Sequence, residues 1–240
     1  MNVGRSPSVL QSFNFAFEGI IHVLRTQRNM RIHFMIAAGV LIGALIVGVS
    51  RLELVILLMA ISFVLIAEMI NSALEAGIDV ATTSFDPLAK LAKDIAAGAV
   101  LIATVNALAV GYLVFVDRIK DPSSRAIDRL RDAPTEITLV ALVLTVILVI
   151  GAKAYTRRGR PLRGGLPSGH SAIAFSGWMA ATYILGDSTH WFLISTLTFI
   201  MALLVAQTRI EAGIHSFVEV LSGGVLGALV TFVLFQLFWS

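Results

Sequence analysis

The 240-residue chain is 57% hydrophobic and only 14% charged, with a mean hydropathy of +0.88, which excludes a water-soluble domain and points to a polytopic membrane protein. Cysteine is absent, so disulfides, thiolate metal sites and cysteine nucleophiles are excluded. The net charge of +3 and pI ≈ 9.6 suit anionic headgroups or phosphate substrates, and no dense basic tail or aromatic-basic interleaving speaks for nucleic acid.

No cleavable signal pattern opens the chain, so its first residues are expected to be retained. Val9, Phe13, Phe17, Ile20, Ile21 and Leu24 recur at helical spacing opposite Gln11, Asn14, Glu18, His22 and Arg25. This pattern predicts an amphipathic helix lying in the membrane interface. Apolar runs follow at about 32–50, 52–74, 94–116, 136–152, 171–186, 190–207 and 216–238, each near the roughly 17–25 residues that a helix needs to cross a bilayer. The expected fold is all-α with seven spans.

Between the third and fourth runs, Asp121-Pro122 marks a turn and Ser123 or Ser124 suits a helix cap, with Arg125, Asp128, Arg129 and Asp132 at helical offsets. Residues 117–135 are therefore read as a linker between a domain at 1–116 and a second at 136–240. Sorting Lys and Arg by span parity puts twelve on one side, including Arg28, Lys93, Lys153, Arg157, Arg158, Arg160 and Arg209, and six on the other, mostly in the linker. The richer side is expected to be cytoplasmic.

Glu68, Asn71, Glu75 and Asp79 fall at helical offsets within the second run and share one helix face. A carboxylate in the hydrocarbon costs about 2.5–3.5 kcal/mol at mid-bilayer even on the gentlest scales, so such a line implies metal binding, proton transfer or pairing with basic residues of neighbouring helices. Lys93-Asp94, at the start of the third run, serves either reading. Together with Arg28-Asn29-Met30-Arg31-Ile32-His33 and Asp86 through Val100, this stretch resembles the small prokaryotic diacylglycerol kinase family, which includes the undecaprenol kinases. The likeness runs over about residues 8–116.

That resemblance implies an ATP-dependent lipid kinase without a P-loop, using Mg²⁺ and built as a homotrimer with active sites between subunits at the cytoplasmic face. Glu68 matches the general base that takes the lipid hydroxyl proton, and Glu75 the carboxylate that holds magnesium. Asn71, Asp79, Lys93 and Asp94 match the remaining active-site positions, with Lys93 suited to nucleotide phosphates. Where the family has a second metal-binding glutamate this chain has Gln27, whose neutral amide oxygen is a poorer magnesium ligand. Either weakened metal affinity or a kinase domain kept as a scaffold would follow.

The second half carries another set of residues. Lys153, Arg160 and Arg209 offer cations at membrane boundaries, while Ser168 and Gly169 offer a hydroxyl and backbone N–H groups at a helix start, where the dipole favours an anion. Such groups stabilise the charge spread over a transferring phosphoryl group. His170 and His215 can divide attack on phosphorus and protonation of the leaving oxygen, and Glu219, four residues after His215, can orient it. Taken singly, the arginines read as a positive-inside cluster, Pro167-Ser168-Gly169 as a helix entry, and His215 as an interfacial histidine.

Their order and spacing resemble the type 2 phosphatidic acid phosphatase superfamily, over about residues 136–238. Six residues separate Lys153 from Arg160-Pro161, Pro167-Ser168-Gly169-His170 follows, and then come Thr208-Arg209, His215 and Glu219. The resemblance implies His215 as the nucleophile that forms a phosphohistidine and His170 as the acid for the departing lipid oxygen. It implies Lys153, Arg160, Ser168, Gly169 and Arg209 as the phosphate cradle, and no metal. Thr208 stands for the usual serine, Glu219 for the usual aspartate, and the superfamily's first two spans are missing.

The whole reads as a multi-pass protein of a bacterial inner membrane, a lipid-phosphate phosphatase fused to a lipid kinase-like domain with both sites at the cytoplasmic face. The expected substrates are phosphatidic acid, phosphatidylglycerol phosphate or undecaprenyl diphosphate. The alternatives are a bifunctional undecaprenol kinase and undecaprenyl diphosphate phosphatase, or a non-catalytic lipid-phosphate scaffold.

Overall fold

The computed structural model describes residues 8–82, 84–120, 134–156, 164–186 and 188–239. Every regular element among them is a helix: α1 (Val9–Thr26), α2 (Arg28–Ile46), α3 (Arg51–Ala81), α4 (Pro87–Lys120), α5 (Pro134–Thr156), α6 (Gly169–Ile184), α7 (Trp191–Glu211) and α8 (Phe217–Phe238). The fold is all-α, as the periodicity predicts. The linker turn at Asp121-Pro122, its serine caps, and Arg157, Arg158 and Arg160 lie outside the described residues.

Six helices, α2, α3, α4, α5, α7 and α8, are long and apolar enough to cross a membrane, and the chain is a multi-pass membrane protein. The seventh expected span, at 171–186, forms α6, which is 16 residues long, about 24 Å at 1.5 Å per residue. The helix is as long as the apolar run but lies two residues earlier, because it starts at Gly169 and the chain leaves helical geometry at Leu185 and turns at Gly186. The hydrocarbon acts as solvent for large outward residues such as Leu101, Ile102 and Leu108, each more than 60% exposed. No water there can satisfy backbone groups, which is why the spanning segments are helices.

The chain divides into two compact units. One comprises Thr26–Glu136. In it α3 packs along α4 and more lightly along α2. A capping box starts α3: the Ser50 hydroxyl accepts from the Glu53 N–H at 3.4 Å and the Glu53 carboxylate accepts from the Ser50 N–H at 2.6 Å. Asp86 caps α4 by accepting from the Leu88 and Ala89 N–H groups at 2.7 and 3.3 Å, with Pro87 in the first turn.

The other unit combines Met1–Arg25 with Ile137–Ser240. In its core α6 packs against both α8 and α7. The α6–α8 approach is unusually close because Gly223 and Gly227 present no side chain: a Cβ on Gly223 would overlap the Ser168 carbonyl oxygen, and one on Gly227 the Ala172 carbonyl oxygen. Small residues four apart are how helices approach backbone to backbone in lipid, where hydrophobic attraction between helices is missing. The seam is pinned further along by Ser176 and Thr231, whose hydroxyls are 2.7 Å apart and fully buried, and by Tyr183 stacked on Phe235 at 5.1 Å. On the α7 side, the Ser195 hydroxyl lies 2.7 Å from that of Thr182 and accepts from the Trp178 indole at 3.3 Å.

Gly227→Ala and Gly223→Ala should each lower the thermal stability of the detergent-solubilised protein by about 1–3 kcal/mol, the usual cost of overpacking. Gly39→Ala, where an added Cβ meets nothing within 4 Å, should be neutral. Equal melting temperatures for Gly227→Ala and Gly39→Ala would show that the seam yields easily.

Candidate functional site

In the unit that holds α5 to α8, the described residues of the phosphate-cage motifs come together from the end of α5, the entry to α6 and the α7–α8 connection. A capping box begins α8: the Ser216 hydroxyl accepts from the Glu219 N–H at 3.4 Å, and Glu219 Oε2 accepts from the Ser216 N–H at 3.0 Å. The same Oε2 lies 3.0 Å from His215 Nδ1. Because a carboxylate there only accepts, Nδ1 carries the proton and Nε2 keeps its lone pair. His215 Nε2 is buried and has no hydrogen-bond partner among the described residues, and neither has the buried Nε of Arg209.

Glu219 also reaches the loop before α6. Its Oε1 accepts from the Gly165 N–H at 2.8 Å, and its backbone carbonyl accepts from the Ser168 N–H at 2.8 Å. Gly164 and Gly165 have φ of 81° and 89°, a left-handed geometry that side chains resist, so this turn needs glycine. Lys153, near the end of α5, is 4% exposed and its ammonium donates to the Gly164 carbonyl at 3.4 Å. His170 interacts electrostatically with Arg209, His215 and Lys153, so both imidazoles share one field.

Ser168 is fully buried, its hydroxyl accepts from Ser171 at 3.1 Å, and its N–H is committed to Glu219. It therefore shapes the loop, and the first N–H groups of α6 lack intrahelical acceptors. Gly169 sits at that helix start, where an added Cβ would come within 3.4 Å of the Val149 side chain of α5. Arg160 lies outside the described residues. Sequence reasoning missed the Glu219–Gly165 and Glu219–Ser168 bonds, for which no local pattern gives a signal.

Burial pushes the His215 imidazole below its ordinary value of 6.5; the Glu219 hydrogen bond and charge oppose this, and Lys153 and Arg209 reinforce it. The neutral imidazole thus dominates at pH 7.

In the Thr26–Glu136 unit, the α3 face is assembled as its offsets require. Glu68 is 1% exposed and its Oε2 has no partner among the described residues; the same holds for Asn71 Oδ1. The Asn71 amide donates to Glu75 Oε1 at 3.2 Å. Asp79 pairs with Lys93 of α4, and Asp94 pairs with Lys90 at 2.6 Å on an exposed surface. Pairing with basic neighbours thus accounts for Asp79 and Asp94 and leaves Glu68 unexplained. Gln27 precedes α2 with no side-chain capping bond. Among the described residues no group of three or more His, Asp or Glu could hold a metal. Glu75 offers a carboxylate of the kind that magnesium takes alongside substrate phosphates and waters, while Gln27 offers only a neutral amide oxygen.

A family model described as prokaryotic diacylglycerol kinase matches residues 14–115, and one described as the PAP2 superfamily matches residues 155–240. An undecaprenol kinase of Bacillus subtilis is 38% identical over 109 residues, covering 45% of this chain and 89% of that protein. The chain belongs to the prokaryotic diacylglycerol kinase family, joined to a PAP2 superfamily domain. A diacylglycerol kinase of Synechocystis sp. is also 38% identical, over 107 residues, 44% of this chain and 61% of that protein. No solved structure matches. The PAP2 match begins two residues after Lys153, and the kinase-family match includes most of α1, which packs in the other unit.

Histidine-selective NMR titration should give His215 a pKa below 6.5. Glu219→Gln removes the interactions that raise it, so the midpoint should move lower still. An upward shift would mean that Glu219 does not face the imidazole.

Proposed function

We propose that the PAP2 domain is a lipid-phosphate phosphatase acting through a phosphohistidine, fused to an ATP-dependent lipid kinase domain. The observation that carries this reading is the His215 arrangement: Nδ1 held by Glu219 and a buried Nε2 lone pair left without a partner beside Arg209. His215 Nε2 attacks phosphorus, the bond to the lipid oxygen breaks, and His170 gives that oxygen its proton. Water then attacks the phosphohistidine, His170 takes a proton back, and inorganic phosphate leaves. Lys153, Arg160, Arg209 and the α6 N-terminus, with Gly169, hold the three peripheral oxygens, and Ser168 fixes their loop. Phosphatidic acid, phosphatidylglycerol phosphate and undecaprenyl diphosphate present this group.

In the kinase domain Glu68 is assigned the lipid hydroxyl proton, and Asn71, Asp79, Lys93 and Asp94 the nucleotide side. Magnesium, held by Glu75 with Gln27, would neutralise charge on the ATP phosphates when bound. A homotrimer, which the family resemblance implies, is part of this reading. A second reading, favoured by the B. subtilis undecaprenol kinase and the large share of it that matches, is that both halves supply undecaprenyl monophosphate, one from the alcohol and the other from the diphosphate.

A panel of these lipids assayed with and without ATP tests both readings. His215→Ala should cut phosphate release by on the order of 10⁴-fold, and Glu75→Ala should abolish ATP-dependent lipid labelling without affecting release. No phosphate release from any lipid would leave a non-catalytic scaffold. Labelling of undecaprenol together with release from undecaprenyl diphosphate would select the second reading.

In this reading the shorter α6 also crosses, and charge counting over seven crossings favours the cytoplasmic face of an inner membrane for both sites. With no native cysteine, Tyr155→Cys should resist an impermeant maleimide in intact cells and Thr189→Cys should react. The reverse pattern would move the phosphatase site outside.

A further inference from the structure

The last four carbonyls of a helix have no intrahelical donors, and in α5 these include those of Lys153 and Ala154. Arg25, in the last turn of α1, meets them: its Nη2 donates to the Lys153 carbonyl at 2.7 Å and its Nε to the Ala154 carbonyl at 3.2 Å. The planar guanidinium suits two adjacent acceptors, and a cation is favoured at the negative end of a helix dipole. Arg25 is itself half-buried, on a turn anchored by Ile21, Val23 and Leu24, each less than 9% exposed.

Lys153 is therefore fixed at both ends. Its backbone is gripped by Arg25, and its ammonium donates to Gly164 in the turn that Glu219 ties to His215. We propose that Arg25 is a positioning residue of the phosphate site, acting through the main chain of Lys153 to set where that cation meets substrate. Arg25 touches no reacting group. The assignment rests on the phosphatase reading for its kinetic arm, but anion binding tests it independently. It also gives α1, most of which lies within the kinase-family match, a part in the other domain's chemistry.

The experiment compares full-length wild type with Arg25→Ala, Arg25→Gln and Arg25→Lys. It measures KM and kcat for release from a lipid phosphate, and the Kd of inorganic phosphate by calorimetry. Arg25→Ala and Arg25→Gln should raise KM and the phosphate Kd about tenfold, the scale of one lost charge-assisted hydrogen bond, with kcat held within about twofold. Arg25→Lys, which keeps the charge but not the fork, should recover part of the loss. A merely structural role would lower the active fraction and leave both constants of the remainder unchanged, and that result overturns the proposal. If Arg25→Ala fails to fold, Arg25→Lys decides on the same constants. A wild type that binds phosphate but releases none sinks the phosphatase reading alone, and the Kd series still judges Arg25.

Discussion

The close passage of α8 across α6 is the constraint on which the second domain depends. Two glycines let the backbones meet where Ser168 and Ala172 expose their carbonyls, and the same contact brings Glu219 beside the loop that enters α6. In lipid, association must come from packing and polar contacts, and this seam supplies both: a glycine ridge, a buried hydroxyl pair and a stacked aromatic pair. Moving α8 outward by the width of a methyl group would draw Glu219 from Gly165 and Ser168 together, and carry His215 with it.

Glu219 shows how one side chain can join caps, loop and imidazole. As a helix-starting residue it satisfies the Ser216 N–H; as an acceptor it fixes the tautomer of His215; through its second oxygen it holds the Gly164–Gly165 turn. The extra methylene relative to aspartate is used for reach, since the two oxygens serve groups 54 and four residues away in sequence. The arrangement orders a buried lone pair beside fixed cations, and that combination separates this imidazole from one merely resting at an interface.

What was legible in the sequence follows a physical rule. Glu68, Asn71, Glu75 and Asp79 lie on one face because helix geometry converts offsets of three, four and four residues directly into direction. The capping boxes at Ser50 and Ser216 are likewise local. The apolar run at 171–186 lies within two residues of α6 at each end, whereas α3 runs on to Ala81 past the run that ends at 74 and α4 begins at Pro87 before the run that starts at 94, because hydropathy does not register helix that continues through polar residues. Nothing local announces that Arg25 meets a carbonyl 128 residues away, or that Ser168 spends its N–H on Glu219. Those bonds depend on tertiary packing.

The placement of α1 bears on how this fusion is put together. By sequence most of the helix belongs with the kinase-type segment, yet it packs in the unit formed by the C-terminal helices, so the border between the two ancestries does not coincide with the border between the two compact bodies. Cutting the chain in the connection after α4 would not yield two finished proteins. One fragment would keep a helix whose partners had gone, and the other would lose the cover over the end of α5. The two compact units are interlaced along the chain rather than strung end to end.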